Sequence, residues 1–193
     1  MGRFTDLLRR SFRYVFRGVP VINVKAEIVV SSSSEKLKGK NIIITGGGKG
    51  LGKAMAQKFV HEGANVLISG RDENALVKTS NEIGCQYCGL DVQCPESFDE
   101  FIELAVTKLG GIDILVNNAG ISLHENHFLD VNPNGFDRQI ATNFKGSYFL
   151  TQRFIKRLLE LNKKGSVLFI SSETGETVDF RPLYYEYQTI IDY

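Results

Sequence analysis

The sequence predicts an α/β fold, a doubly wound parallel sheet with helices on both faces. Three observations predict it. From residue 40 onward, short apolar runs alternate with segments of helical periodicity. The runs are apolar at nearly every position, as strands buried on both faces must be. Glycines cluster directly after the first run, at the carboxyl end of a strand, where sheets of this kind bind their ligands.

The elements follow in order. Asn41–Thr45 (NIIIT) is a short apolar run ending in glycines and reads as a strand. Lys53–Glu62 carries Met55, Ala56, Phe59 and Val60 at helical spacing, and Gly63 supplies a stop. Ala64–Ser69 is the second strand, and Asp72–Ile83 the second helix with Asp72 as its N-cap. Cys85–Leu90 is the third strand; Pro95–Leu109 is the third helix, with proline in its first turn. Ile112–Val116 makes a fourth strand, Gly135–Asn162 contains a long helix, and Ser166–Ile170 a fifth strand. Alternation of this kind requires right-handed crossovers.

Composition narrows the class. The 193 residues are 42% hydrophobic and 23% charged, which excludes disordered, collagen-like and coiled-coil chains. No apolar run reaches the roughly 18 residues of a spanning helix. Three cysteines are too few for a disulfide framework and point to a reducing compartment, hence a cytoplasmic location.

Charge divides the chain. Residues 1–40 hold nine basic and three acidic residues, leaving that stretch at +6 and the remainder at −5 of a total of +1. Phe4, Leu7, Leu8, Phe12, Val15 and Phe16 recur at helical spacing with arginines between them, which predicts a basic amphipathic helix near residues 4–17. Docking onto the body or a second subunit, peripheral contact with an anionic membrane surface, and a transit peptide compete as its role. Asp6 interrupts a transit peptide and stands where a myristoylation signal needs Ser or Thr. Nothing beyond charge supports nucleic-acid binding, and none is expected. Ser31–Ser34 reads as a flexible joint, dividing an arm and linker at 1–36 from a domain at 37–193.

The glycine loop Thr45-Gly46-Gly47-Gly48-Lys49-Gly50-Leu51-Gly52 joins the first strand to the first helix. Its backbone N–H groups at the positive end of a helix suit a pyrophosphate. Gly47, Gly52 and Lys53 nearly fit a nucleotide-hydrolase P-loop, but Ala54 stands where a hydroxyl must hold Mg²⁺. The G-x-G-x-x-G spacing fits no register either. The spacing T-G-x-x-x-G-x-G does, through Thr45, Gly46, Gly50 and Gly52.

Further motifs follow the later strands. They are Leu90-Asp91-Val92, Asn117-Asn118-Ala119-Gly120, Asn143 within Thr142-Asn143-Phe144-Lys145-Gly146, and Ser172 after Phe169-Ile170-Ser171. With these motifs in this order, the sequence from about Leu37 to about Thr189 resembles the short-chain dehydrogenase/reductase family. The resemblance implies a Rossmann-like sheet and hydride transfer between a nicotinamide cofactor and a ketone or secondary alcohol. It implies cofactor contacts at Thr45, Gly46, Gly48, Lys49, Gly50, Leu51, Gly52, Asp91, Val92, Asn117, Asn118, Ala119 and Gly120. It gives Asn143 a structural and catalytic role, Ser172 the carbonyl-holding role, and a tyrosine the role of acid. Tyr184, Tyr185 and Tyr187 are candidates for that tyrosine, and Pro182 five residues earlier favours Tyr187. A homo-oligomer of the full-length protein is implied as well.

The chain departs from the family at one point. A lysine belongs four residues after the tyrosine, one helical turn on. From Tyr184, Tyr185 and Tyr187 that position holds Gln188, Thr189 and Ile191. The resemblance also implies further helices and strands after the fifth strand, so the sequence reads as interrupted within the Y-x-x-x-K motif. Severe loss of activity and an exposed apolar sheet edge are expected in the chain as given. A catalytically inactive dinucleotide-binding or assembly module is the alternative.

Arg71, just past the second strand, favours NADP(H) over NAD(H): an arginine attracts a ribose 2′-phosphate that an acid would repel. Lys49 adds a second cation nearby. Asp72 opposes this unless it serves as an N-cap. Cys85 and Cys88, three apart on a strand, point to opposite faces and make no metal site with Cys94. His124 and His127 read as polar loop surface, and Tyr148, Phe149 and Phe154 as packing residues.

Overall fold

The computed structural model describes residues 35–122 and 130–171. Residues 1–34, the loop with His124 and His127, Ser172 and the three candidate tyrosines lie outside the described residues. Within them the strands are β1 (Asn41–Thr45), β2 (Asn65–Gly70), β3 (Gln86–Gly89), β4 (Ile114–Asn117) and β5 (Ser166–Phe169). The helices are α1 (Gly50–His61), α2 (Glu73–Ile83), α3 (Phe98–Leu109), α4 (Pro133–Gln139) and α5 (Ser147–Glu160). A 3₁₀ turn at Pro95–Ser97 leads into α3, and a π-helical stretch, Ile140–Gly146, joins α4 to α5.

The described strands form one parallel sheet in the order β3-β2-β1-β4-β5. The chain winds outward from β1 through β2 to β3, then returns across β1 to β4 and β5. Between β1 and β4 lies the switch point, where helices on opposite faces leave a crevice.

Strand β1 sits at the centre, and Ile42, Ile43 and Ile44 are almost wholly buried. Their side chains alternate between two layers. Ile43 joins Leu67 and Leu115 against Phe98, Phe101 and Ile102 of α3 and Leu150 and Phe154 of α5. Ile42 and Ile44 join Val66, Ile68 and Val116 against Ala56 of α1 and Leu76 of α2. Each fully buried Ile, Leu or Phe contributes about 1.5–3 kcal/mol by leaving water. This two-sided burial is why β1, β2 and β4 read as nearly continuous apolar runs, whereas β3 and β5, at the two edges, are exposed or only part-buried along their length.

The elements predicted from Asn41 to Ile170 are all present, with shifted ends, while the helix predicted near residues 4–17 lies outside the described residues. Helix α1 begins at Gly50 rather than Lys53, inside the glycine loop. Asp72 caps α2 by accepting a hydrogen bond of 3.0 Å from Ala75 N. Cys85 packs in the α1/α2 layer and Cys88 in the α3/α5 layer, so the two thiols face away from each other. The long segment expected at Gly135–Asn162 is α4, the π-helical stretch and α5 in continuous succession. Among the described residues β5 is an edge strand, with Leu168 and Phe169 exposed.

Candidate functional site

A cleft of about 320 Å³ opens at the switch point, above the carboxyl ends of β1, β2 and β4. The glycine loop forms its floor through Thr45, Gly46, Gly48 and Lys49. The turn after β2 and the start of α2 form one wall, with Arg71 and Asp72 at the rim. Leu90 and Val92 form an apolar wall, and Ala119, Gly120, Ile121 and Thr142 close the far end.

One buried threonine and one asparagine tie the loop to the end of β4. Thr45 is 2% exposed, and its hydroxyl accepts from Asn118 N (3.0 Å) and Ala119 N (2.9 Å) while donating to Val116 O. Asn118 returns the contact, its Nδ2 donating to Thr45 O (2.9 Å) and Gly46 O (3.2 Å). The ends of β1 and β4 are thereby cross-linked. Gly46 turns the chain at φ +65°, where a side chain is strained. A Cβ on Gly52 would lie on the Gly46 carbonyl, so the first turn of α1 packs directly onto the loop that precedes it.

The rim beside α2 is cationic. Lys49 and Arg71 both line the cleft, and neither forms an ion pair among the described residues. The Asp72 carboxylate is engaged at the α2 terminus through its bond from Ala75 N. Ser69, at the end of β2, also lines the cleft; it is wholly buried and its Oγ lacks a hydrogen-bond partner. A buried hydroxyl with no protein partner at a cleft wall can pair with a water or with a polar ligand atom.

The far end is fixed by Asn143 in the π-helical stretch. Its Oδ1 accepts from Ile121 N (2.8 Å) and its Nδ2 donates to Ile121 O (2.9 Å). This pair of hydrogen bonds between amide and backbone holds the segment after Gly120 against the helix, as a strand neighbour would. π-helical turns often occur at functional sites because they re-aim side chains. Thr142, beside Asn143, reaches the cleft.

The sequence-predicted residues divide by position. Thr45, Gly46, Gly48, Lys49, Arg71, Val92, Ala119 and Gly120 line the cleft. Gly50, Leu51, Gly52, Asp91, Asn117, Asn118 and Asn143 lie behind or beside its wall. Asp91 closes a local turn by accepting from Gln93 N (3.0 Å), and Asn117 donates to Thr151 Oγ1 on α5 (2.9 Å). Ser69, Gly70, Asp72, Ala75, Leu76, Leu90, Ile121 and Thr142 complete the lining and are not among the contacts the sequence predicts. Of these, Leu90 and Thr142 carry a sequence signal through the Leu90-Asp91-Val92 and Thr142–Gly146 motifs, and Asp72 through its place beside Arg71.

A five-stranded parallel sheet with a glycine-floored cleft at its switch point defines a doubly wound α/β protein that binds ligands at the strand ends. A family model described as short chain dehydrogenase matches residues 40–185, and the chain belongs to that family. The L-rhamnose 1-dehydrogenase (NADP(+)) of Thermoplasma acidophilum is 36% identical over 141 residues, covering 70% of this chain and 55% of the relative. A short chain dehydrogenase from Mycobacterium smegmatis superposes with a TM-score of 0.75 at 25% identity, over 80% of this chain and 67% of that one. The 3-ketoacyl-(acyl-carrier-protein) reductase of Brucella melitensis, complexed with NADH, gives 0.72 at 32% identity, over 80% and 66%. The chain spans just over half the length of the curated relatives it matches.

Proposed function

We propose that the protein is an NADP(H)-linked oxidoreductase acting on a ketone or secondary alcohol, with the switch-point cleft as its cofactor site. The observation that carries this is the pairing of a glycine-floored cleft with two unpaired cations at its rim. The residues fit a dinucleotide. Backbone N–H groups of the glycine loop suit the pyrophosphate, and Leu90 and Val92 suit the flat face of the adenine. Lys49 and Arg71 suit a 2′-phosphate, and the unpartnered Ser69 hydroxyl offers one more polar contact.

When bound, the nicotinamide supplies or accepts a hydride. The chain's own part is to bind, orient and manage the proton. Ser172 would hold the carbonyl oxygen and Tyr187 would give it a proton, while Asn143 keeps the intervening wall in place through Ile121. The chain would divide into an arm and linker at 1–36 and a domain at 37–193, with a peripheral membrane contact open to residues 4–17. A small carbonyl or alcohol substrate, a cytoplasmic location and a homo-oligomer complete the proposal. Tyr148, Ile155 and Leu159 are exposed on α5, which supports the last of these. No described helix is long and apolar enough to cross a membrane.

A second reading, an inactive dinucleotide-binding module, is favoured by Ile191 four residues after Tyr187, where an ammonium would lower the tyrosine's pKa. Both readings require cofactor binding, and turnover separates them. Fluorescence titration with NADPH and NADH is the test. NADPH binds more tightly to the wild type, and Arg71→Ala weakens NADPH about tenfold or more while leaving NADH unchanged, the loss of a charge-assisted contact. Unchanged discrimination in Arg71→Ala refutes the NADP(H) assignment. A carbonyl-reductase screen of the NADPH-bound protein then distinguishes enzyme from module.

A further inference from the structure

Thr79 lies within α2, two turns from Asp72 and outside the cleft wall. We propose that it is a positioning residue for dinucleotide binding, because it sets the orientation of the Gly48–Lys49 peptide in the glycine loop. The inference rests on the proposal that the cleft holds a dinucleotide.

Threonine inside a helix ordinarily turns its hydroxyl back to the carbonyl one turn earlier. Thr107 and Thr142 do so, donating to Glu103 O and Arg138 O at 2.9 Å each. Thr79 does not. It is 2% exposed, and its Oγ1 donates instead to Gly48 O at 2.8 Å, across 31 residues of sequence. Gly48 rests on the first turn of α2, where an added Cβ would stand 3.4 Å from Ala75 Cβ and Leu76 Cδ2. The loop thus leans on α2, and one hydroxyl fixes which way its peptide faces.

The orientation has an electrostatic consequence. In a trans peptide the C=O and the following N–H point in opposite directions. With the Gly48 carbonyl drawn to α2, the Lys49 N–H points the other way, and no group among the described residues accepts from it. Gly48 and Lys49 line the cleft while Thr79 does not. Released from Thr79, the peptide can flip and present a carbonyl oxygen to a pyrophosphate, replacing attraction by repulsion. The Lys53–Glu82 ion pair (2.6 Å) ties α1 to α2 beside this contact but touches no loop carbonyl. Thr79 is therefore the link by which α2 governs the loop.

Thr79→Val keeps the shape and removes the hydroxyl, whereas Thr79→Ser keeps the hydroxyl. NADPH and NADH are titrated against the wild type and both variants, with thermal unfolding recorded to establish the folded fraction. The expected result is that Thr79→Val weakens both cofactors about three- to tenfold, the net worth of one hydrogen bond. The NADPH-to-NADH ratio stays within about twofold of wild type, unlike that of Arg71→Ala, and Thr79→Ser restores both affinities. Wild-type affinities in folded Thr79→Val overturn the inference alone. So does a changed ratio, which would mean that Thr79 acts through the Arg71 rim. Failure of the folded wild type to bind either cofactor overturns the dinucleotide proposal and this inference with it.

Discussion

The Thr45 hydroxyl makes a sharply quantitative prediction. Thr45→Val is nearly isosteric and removes the acceptor of two backbone N–H groups, those of Asn118 and Ala119, at 3.0 and 2.9 Å. Thr45 is 2% exposed, so water does not readily replace the lost oxygen. A buried N–H left without an acceptor costs about 1–3 kcal/mol. The two donors are only part-buried, which places their sum near the lower half of that range doubled, about 2–4 kcal/mol. With a urea m-value of about 2 kcal/mol/M, the unfolding midpoint falls by about 1–2 M. Thr45→Ser retains the oxygen, loses one methyl, and falls by about 0.5 M or less. Urea titration followed by far-ultraviolet circular dichroism reads all three proteins. A Thr45→Val midpoint within about 0.3 M of wild type, or a serine variant as damaged as the valine one, would refute the view that this hydroxyl joins β1 to β4.

Two further outcomes are expected. Phe154 is wholly buried in the α3/α5 layer, so Phe154→Ala costs about 3–5 kcal/mol and lowers the calorimetric Tm by about 10 °C. NADPH affinity per folded molecule stays at the wild-type value, because Phe154 does not line the cleft. Burial pushes the Cys85 thiol up to about 11, so the unfolded chain ionises this group first as pH rises. Its contribution to stability is intact below the ordinary thiol pKa of about 8.5 and is lost as pH climbs toward 11. Iodoacetamide at pH 8 accordingly labels Cys85 at least about tenfold more slowly in the folded protein than in urea, as peptide mapping measures; equal rates would contradict the burial argument.

The central strands were legible because two-sided burial leaves a plain mark, an unbroken apolar run such as Ile42-Ile43-Ile44. The Asp72 cap was legible because its chemistry is local, three residues from cap to donor. Long-range polar bonds left no such mark. Nothing near Thr79 in sequence indicates a partner 31 residues away, and nothing near Asn118 indicates Thr45 O. The pattern of apolar residues starts α1 only at Lys53 because Gly50 and Gly52 are poor helix formers, and tertiary packing of Gly52 on the Gly46 carbonyl overrides that propensity. The π-helical turn around Asn143 has no periodic signature of its own. Its apolar positions remain compatible with an ordinary helix.

These long-range bonds share a logic that follows from the glycine content of the site. A glycine loop brings its backbone close to a ligand because it has no side chains, and for the same reason it contributes little apolar packing of its own. The loops of this cleft are held instead by small polar side chains reaching from the regular elements. Thr45 of β1 holds Asn118 and Ala119, Thr79 of α2 holds Gly48, and Asn143 holds Ile121. Each such bond contributes about 1 kcal/mol net, against the larger sums that accumulate in the apolar layers. The cleft is therefore the part of the fold most easily loosened without unfolding the rest. A dinucleotide spanning the three anchored loops would add its binding energy where the protein's own restraints are weakest, and the stability it confers rises with its concentration over Kd. Loss of any one anchor should lower affinity before it lowers the stability of the core, except at Thr45, whose hydroxyl also closes the end of the sheet.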